Sequence, residues 1–246
     1  PTDAHPMAIT VTIVGALSAF HPYSVNTTDE KDVQAAVYGL IGKIPTIVAH
    51  SYRHSQEQRY MPPLENYDYV SNFLHMMFST SSLQFELDPI VVQTMDLMFL
   101  LHADHEQNCS ASTVRIVGSS KANLFSAISA GIHALWGPLH GGANQAVVEM
   151  LQDIQSSGDN GQKFLEKVKN KKAGIRLMGF GHRVYRNFDP RASIIKRACF
   201  EIIERLNVSN PLLEIAIQLE EIALKDDYFI SRKLFPNVDF YSGIIL

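Results

Sequence analysis

Arginines cluster around a histidine in the segment "GFGHRVYRNFDPRA", residues 179–192. His182 is followed there by Arg183, Arg186 and Arg191, and guanidinium groups match carboxylates and phosphates in shape and charge. The glycine pair at 179 and 181 is not a dinucleotide fingerprint, because the third glycine is absent and no strand is predicted before it. The segment by itself is either an anion-binding element or a solvated basic loop.

A second candidate is "LHADHEQN", in which His102 and His105 would share a helical face if the helix continued through both. Two such histidines can be zinc ligands. However, no third ligand is evident, and Glu106 is not placed as in the H-E-x-x-H motif. Histidines that cap a helix or pack near its end are therefore the preferred interpretation, and no metal site is expected.

His140 lies in "WGPLHGGANQ", where glycines and a proline predict a turn between two helices. A nearby helix start favours the neutral imidazole, which can donate a hydrogen bond to a developing oxyanion. The alternative is a glycine-rich turn in which the histidine is incidental.

Asp239 is a further candidate, and two interpretations of it remain open. Set in "PNVDFYSG", it is either a helix cap or a base with a raised pKa.

The elements that must position these residues are predicted to be helices. Asp88-Pro89 and Asn210-Pro211 each supply an N-cap residue followed by proline at the first helical position. No alternating strand pattern persists, so the fold class is all-α. After the second of these starts, one apolar stripe is predicted from the residues Leu212, Ile215, Leu219 and Ile222.

Two other segments carry predictions about packing. Residues 121–136 are rich in alanine and serine, which suits close contact between helices. Residues 7–20 are apolar and too short to span a bilayer, so they predict a helix buried on most sides. The helical pattern breaks after Trp136 and a more charged stretch follows, which places a domain boundary near residues 140–142.

Composition bounds the class of protein. The 246 residues include 21 basic and 25 acidic side chains, a balance that argues against nucleic-acid binding. Cys109 and Cys199 show neither pairing nor metal-ligand spacing, which favours a reduced, intracellular setting and a cytoplasmic location. No secretory signal is recognised. The chain opens without methionine and stops at "YSGIIL", so both ends are expected to be cut.

Taken in order, these motifs resemble the bacterial citrate synthase family. The motifs that carry the resemblance are "HPMA", "LHADHEQN", "STVRIVGSS", "WGPLHGGAN", "LMGFGHRVYRNFDPRA" and "FPNVDFYSG". The resemblance implies a two-domain helical fold, with residues 1–140 in the large domain and 141–246 in a smaller, mobile one. It also implies condensation of acetyl-CoA with oxaloacetate, with no permanently bound cofactor and no metal. A homodimer or larger homo-oligomer with shared active sites is implied as well.

The resemblance also implies roles for individual residues. Asp239 matches the base that deprotonates the acetyl methyl group, His140 the group that stabilises the enolate, and His182 the group that polarises the oxaloacetate carbonyl. His105 and Arg191 match oxaloacetate ligands. The residues implied to bind coenzyme A are Met178, Gly179, Phe180, Gly181 and Arg183.

The sequence departs from the family pattern in two respects. Two further substrate arginines of the family lie C-terminal to residue 246, so we expect a longer protein to be the active species. Ser82 and His21 replace a cysteine and a tyrosine of NADH-inhibited members, which leaves allosteric control by NADH open. Two alternatives remain: 2-methylcitrate synthase, which uses propionyl-CoA, and a truncated helical fragment without activity.

Overall fold

A computed structural model describes residues 1–21, 26–80, 86–170 and 174–245, so Ser82 lies outside the described residues. Within these ranges the regular elements are helices and no strand occurs, which confirms the predicted all-α class. The chain forms two compact units. Unit 1 comprises Pro1–Asp96 and Ala103–Gly141, and unit 2 comprises Leu97–His102 and Gly142–Leu246. None of the described helices is both long and apolar enough to cross a membrane.

The helices are numbered in chain order. The first six are α1 (Pro6–Ala16), α2 (Glu30–Ser55), α3 (Tyr69–Phe78), α4 (Pro89–His102), α5 (Cys109–Ser119) and α6 (Leu124–Leu135), with a 3-10 turn at Leu17–Ala19. The remaining six are α7 (Ala143–Ser156), α8 (Gln162–Lys169), α9 (Pro190–Leu206), α10 (Pro211–Ala223), α11 (Asp227–Ser231) and α12 (Val238–Ile245).

Local hydrogen bonds confirm both predicted helix starts. The Asp88 carboxylate accepts from the Ile90 N–H at 3.0 Å, and the Asn210 side chain accepts from the Leu212 N–H at 3.1 Å. Each cap satisfies a backbone donor that has no partner within the helix. A third helix, α9, starts in the same way at Asp189-Pro190, which the sequence analysis did not identify.

In unit 1, α5 and α6 approach closely, as the small residues between 121 and 136 predicted. A Cβ atom on Gly131 of α6 would lie 2.6 Å from the Val114 side chain of α5, which is too close for any larger residue. His21 stacks on Phe125, with 5.4 Å between the ring centres.

The prediction that residues 7–20 are buried on most sides is wrong. Only Thr10, Val11 and Val14 of α1 are buried, whereas Ile13 is 38% exposed and Phe20 is 76% exposed. A uniformly apolar helix carries no periodic signal that marks one face, and in this chain α1 packs on one side against α2 and α6.

The core of unit 2 lies among α7, α9, α10 and α12, with Leu151, Ile195 and Phe240 fully buried. The stripe predicted on α10 is shifted around the helix. Leu219 is buried, but the other members of that stripe are only partly buried, and the rest of the buried apolar face consists of Leu213, Ala216 and Ala223. Alanines on this face allow α7 to approach more closely than larger side chains would.

Candidate active site

Asp239 lies in the first turn of α12 and does not cap the helix. The cap is Asn237, whose side-chain oxygen accepts from the Asp239 N–H at 3.0 Å, so the cap interpretation of Asp239 is wrong. Burial raises the pKa of the Asp239 carboxyl, and the charges of His102 and Arg191 only partly oppose this effect. A carboxylate in such surroundings is a stronger base than one in water.

The start of α12 is held by the glycine segment that precedes His182. The Asn237 N–H donates to the Gly179 carbonyl at 2.8 Å, and the Asn237 side-chain amide donates to the Gly181 carbonyl at 2.9 Å. Phe180 forms an isolated antiparallel bridge with Pro236. The segment is therefore a structured support for the helix that carries Asp239.

Gly179 must be glycine for two reasons. Its φ angle is +75°, and a Cβ atom there would lie 2.9 Å from the Cα atom of Phe240. The Phe180 ring is buried against Phe240, with 4.8 Å between the ring centres, so this residue can offer a ligand only its backbone. Met178 is partly buried, and its N–H lies 3.3 Å from the Met150 sulfur.

His182 has one ring nitrogen fixed by the backbone. Its Nδ1 atom accepts from the N–H groups of Val184 at 3.0 Å and Tyr185 at 3.2 Å. An N–H group can only donate, so Nδ1 carries a lone pair and the ring proton is on Nε2. His182 can therefore donate a hydrogen bond through Nε2.

Asp189 holds the guanidinium of Arg191. Its Oδ1 atom lies 3.0 Å from Nε and its Oδ2 atom 2.9 Å from Nη2. The same buried carboxylate accepts from the Val238 N–H at 3.0 Å. Burial acts to raise the pKa of Asp189, but hydrogen bonds from Arg191 and Val238 outweigh it and hold that pKa below its ordinary value. Arg183 is exposed.

His140 lies in the predicted turn of unit 1, where its N–H donates to the Gly137 carbonyl at 2.9 Å. Its Nε2 atom accepts from the Ser110 N–H at 3.2 Å, and the Ser110 hydroxyl oxygen lies 2.8 Å from the same nitrogen. The helix start that contacts the ring is thus that of α5. Because the backbone donor requires a lone pair on Nε2, we infer that the ring proton is on Nδ1.

His102 and His105 do not share a helical face, because α4 ends at His102. The Nδ1 atom of His102 lies 2.8 Å from the Met98 carbonyl, so this histidine caps the helix end. His105 is partly buried in the loop before α5, next to Glu106 with its φ of +56°. In the described part of the chain, no cluster of three His, Cys, Asp or Glu side chains could hold a metal ion.

Unit 2 thus combines Asp239, His182 and Arg191 with the glycine segment, while unit 1 carries His105 and His140. Sequence reasoning missed Asp189 and Ser110. The Asp-Pro pair at 189–190 repeats the cap signal that located two other helices. Ser110 gave no local signal, since its partner His140 lies 30 residues away.

The whole chain matches a protein family of known sequence. The profile described as "Citrate synthase, C-terminal domain" matches residues 1–246. The chain belongs to the citrate synthase family. It is 53% identical over 245 residues to "Citrate synthase 1" of Mycobacterium tuberculosis, covering 100% of this chain and 57% of that protein. It is also 53% identical to "Citrate synthase" of Corynebacterium glutamicum, over 246 residues covering 100% of this chain and 56% of the relative.

Solved structures of citrate synthases share the fold. The enzyme from Pyrobaculum aerophilum superposes with a TM-score of 0.85 at 35% identity, covering 99% of this chain and 61% of that one.

 The Thermoplasma acidophilum structure, a ternary complex of citrate synthase with carboxymethyl coenzyme A and oxaloacetate, superposes with a TM-score of 0.81 at 29% identity, covering 100% of this chain and 61% of that one. This chain therefore spans somewhat more than half the length of the relatives it matches.

Proposed function

We propose that the whole protein is a citrate synthase, which condenses acetyl-CoA with oxaloacetate to give citrate and free coenzyme A. The observation that carries this proposal is the partly buried carboxyl of Asp239, with its raised pKa, within electrostatic reach of Arg191 and His182. The relatives named citrate synthase and the ternary complex of the Thermoplasma acidophilum enzyme support the same substrates.

The first step requires removal of a proton from the methyl group of acetyl-CoA. A thioester methyl is a weak carbon acid, so the base needs help from a donor to the forming enolate oxygen. Asp239 takes the proton, and the Nδ1–H of His140 donates to the thioester oxygen. General-base catalysis contributes about 10²–10⁴-fold, and removing one oxyanion donor typically costs about 10²–10³-fold.

Oxaloacetate is the electrophile in the second step. The Nε2–H of His182 donates to its ketone oxygen, and the enolate carbon attacks the ketone carbon to form the new C–C bond. Arg191 binds a substrate carboxylate through the N–H groups that remain on Nη1 and Nη2, because Asp189 accepts from Nε and Nη2 and the Leu101 carbonyl lies 3.5 Å from Nη1. His105 is the second proposed oxaloacetate ligand. Hydrolysis of the citryl thioester then releases citrate and coenzyme A.

Coenzyme A is the co-substrate, and no permanently bound cofactor is required by this chemistry. We assign its adenine to the backbone of residues 178–181 and its charged groups to Arg183. The structured bridge at Phe180 supports this assignment, because it holds the backbone in place before a ligand arrives.

The domain division, oligomeric state and cellular location are proposed as well. Residues 1–140 would belong to the large domain and residues 141–246 to the small domain. A homodimer or larger homo-oligomer in the cytoplasm is proposed from the family resemblance, without nucleic-acid or membrane partners.

Free-thiol release tests the function directly. The full-length protein is given oxaloacetate with acetyl-CoA or with propionyl-CoA in parallel, and Asp239→Asn serves as the matched control because it keeps the side-chain shape. Thiol release with acetyl-CoA that the control lacks supports the proposal. Faster release with propionyl-CoA would reassign the protein to 2-methylcitrate synthesis, and no release with either would refute the activity.

A further inference from the structure

Three polar side chains form a hydrogen-bonded network inside unit 2. The Tyr241 hydroxyl on α12 donates to Oε2 of Glu220 on α10. The Lys196 ammonium on α9 lies 2.7 Å from the same oxygen. Tyr241 is fully buried and Glu220 is 8% exposed, whereas the Lys196 side chain is 38% exposed, so the network joins three helices and reaches solvent only at the lysine.

The direction of each hydrogen bond is fixed by charge. Burial raises the pKa of the Tyr241 phenol well above its ordinary value, and the Glu220 carboxylate adds to this effect. The hydroxyl therefore keeps its proton and donates. The Lys196 nitrogen also lies 5.4 Å from the centre of the Tyr241 ring, so the cation contacts both the carboxylate and the aromatic face.

Such a network is a poor source of stability. Burying the Glu220 carboxylate costs much of what its hydrogen bonds return, and the ion pair with the partly exposed Lys196 is screened by water. What a buried hydrogen bond does supply is a fixed geometry, since its partners tolerate little displacement. The network therefore acts mainly on the relative positions of the helices that it joins.

Helix α12 carries Asp239, so a fixed contact on this helix bears on the position of the proposed base. It spans Val238–Ile245 and packs against α7, α9 and α10, and the Tyr241 hydroxyl adds a directional contact with α10. Tyr241 follows Asp239 by two residues, which places the two side chains about 200° apart around the helix. The network thus holds the side of α12 that faces away from Asp239.

We propose that Tyr241 and Glu220, tethered by Lys196, are positioning residues that set the direction in which Asp239 presents its carboxylate. The proposal rests on the proposed citrate synthase activity, in which Asp239 is the base. It assigns to Lys196 of α9 and Glu220 of α10 a role in proton transfer that neither side chain performs by direct contact with substrate.

Tyr241→Phe in the full-length protein tests whether the hydrogen bond to Glu220 positions Asp239. We expect kcat to fall about 10- to 100-fold, because small displacements of a catalytic group are costly. The KM values for both substrates should stay within about twofold, since ground-state binding is untouched. With acetyl-CoA deuterated in the methyl group, the isotope effect on kcat should increase, because a misaligned base slows the C–H cleavage. A purely structural role would lower the melting temperature without moving this isotope effect.

Tyr228→Phe is the matched control, because it removes the hydroxyl of a partly buried tyrosine elsewhere in unit 2. Glu220→Gln keeps an acceptor for Tyr241 and should retain most of kcat, whereas Glu220→Met should reproduce the loss even if Tyr241→Phe does not fold. Wild-type kcat in a folded Tyr241→Phe or Glu220→Met protein would overturn the proposal, as would an equal loss in Tyr228→Phe. Inactive wild-type protein would overturn the proposed function as well.

Discussion

Asp189 accepts the backbone N–H of Val238 at 3.0 Å, and so joins the start of α9 to the start of α12. The same carboxylate holds the guanidinium of Arg191. One buried acid therefore connects the proposed oxaloacetate ligand to the helix that carries Asp239.

We predict that Asp189→Asn destabilises the protein by about 1–3 kcal/mol at neutral pH, because it removes charge-assisted hydrogen bonds from a buried site. The pKa of Asp189 is lowered in the folded state. Its stabilising contribution is therefore present above the unfolded pKa of about 3.9 and is lost as the pH falls through the lower native value. Urea unfolding of both proteins across this range measures the difference. If the difference in the free energy of unfolding persisted unchanged in strong acid, the lowered pKa of Asp189 would be contradicted.

Asp239→Asn should have the opposite effect on stability. The raised pKa of Asp239 means that its ionised form is disfavoured in the folded state. The acid therefore contributes stability below its unfolded pKa, and this contribution is lost as the pH rises through the folded pKa. At pH 7 we expect urea unfolding to show a higher free energy of unfolding for the variant than for wild type. This difference should disappear in acid. The same variant should lose about 10²–10⁴-fold in kcat. A variant less stable than wild type at pH 7 would argue against the raised pKa of Asp239.

Gly179→Ala should be more costly than Gly158→Ala. Both glycines have positive φ angles, but an added Cβ would collide with Phe240 and Val147 at position 179 and would meet nothing within 4 Å at position 158. Holding an alanine at a positive φ angle costs about 1–2 kcal/mol at either position. Overpacking adds about 1–3 kcal/mol at position 179. Urea unfolding of the two variants gives the comparison, and equal losses would show that the collision is relieved at no cost.

His140 and His182 should carry their protons on opposite ring nitrogens. Backbone donors contact Nε2 of His140 and Nδ1 of His182. We therefore expect the Nδ1–H form for His140 and the Nε2–H form for His182 at neutral pH. Two-bond ¹H–¹⁵N correlation spectra distinguish the forms, and the Ser110→Ala variant should leave His140 in the same form because the backbone N–H remains. Identical forms for the two histidines would refute this assignment.

The amino-acid sequence by itself determined the features that depend on neighbouring residues. Asp88 and Asn210 mark helix starts because a side-chain oxygen meets a backbone N–H only a few residues away. Helical periodicity likewise indicated the all-α class. The motifs in their order indicated the family, although no single motif did so.

The tertiary structure decided the features that depend on distant residues. Which face of α10 is buried, why Asp239 has a raised pKa, and how Asp189 reaches Val238 all follow from the packing of helices against one another. Desolvation and hydrogen bonds of this kind arise only when the chain brings separate segments together, so no local pattern around Asp239 could distinguish a cap from a base with a raised pKa. Ser110 shows the same limit, because its contact with His140 exists only in the folded chain.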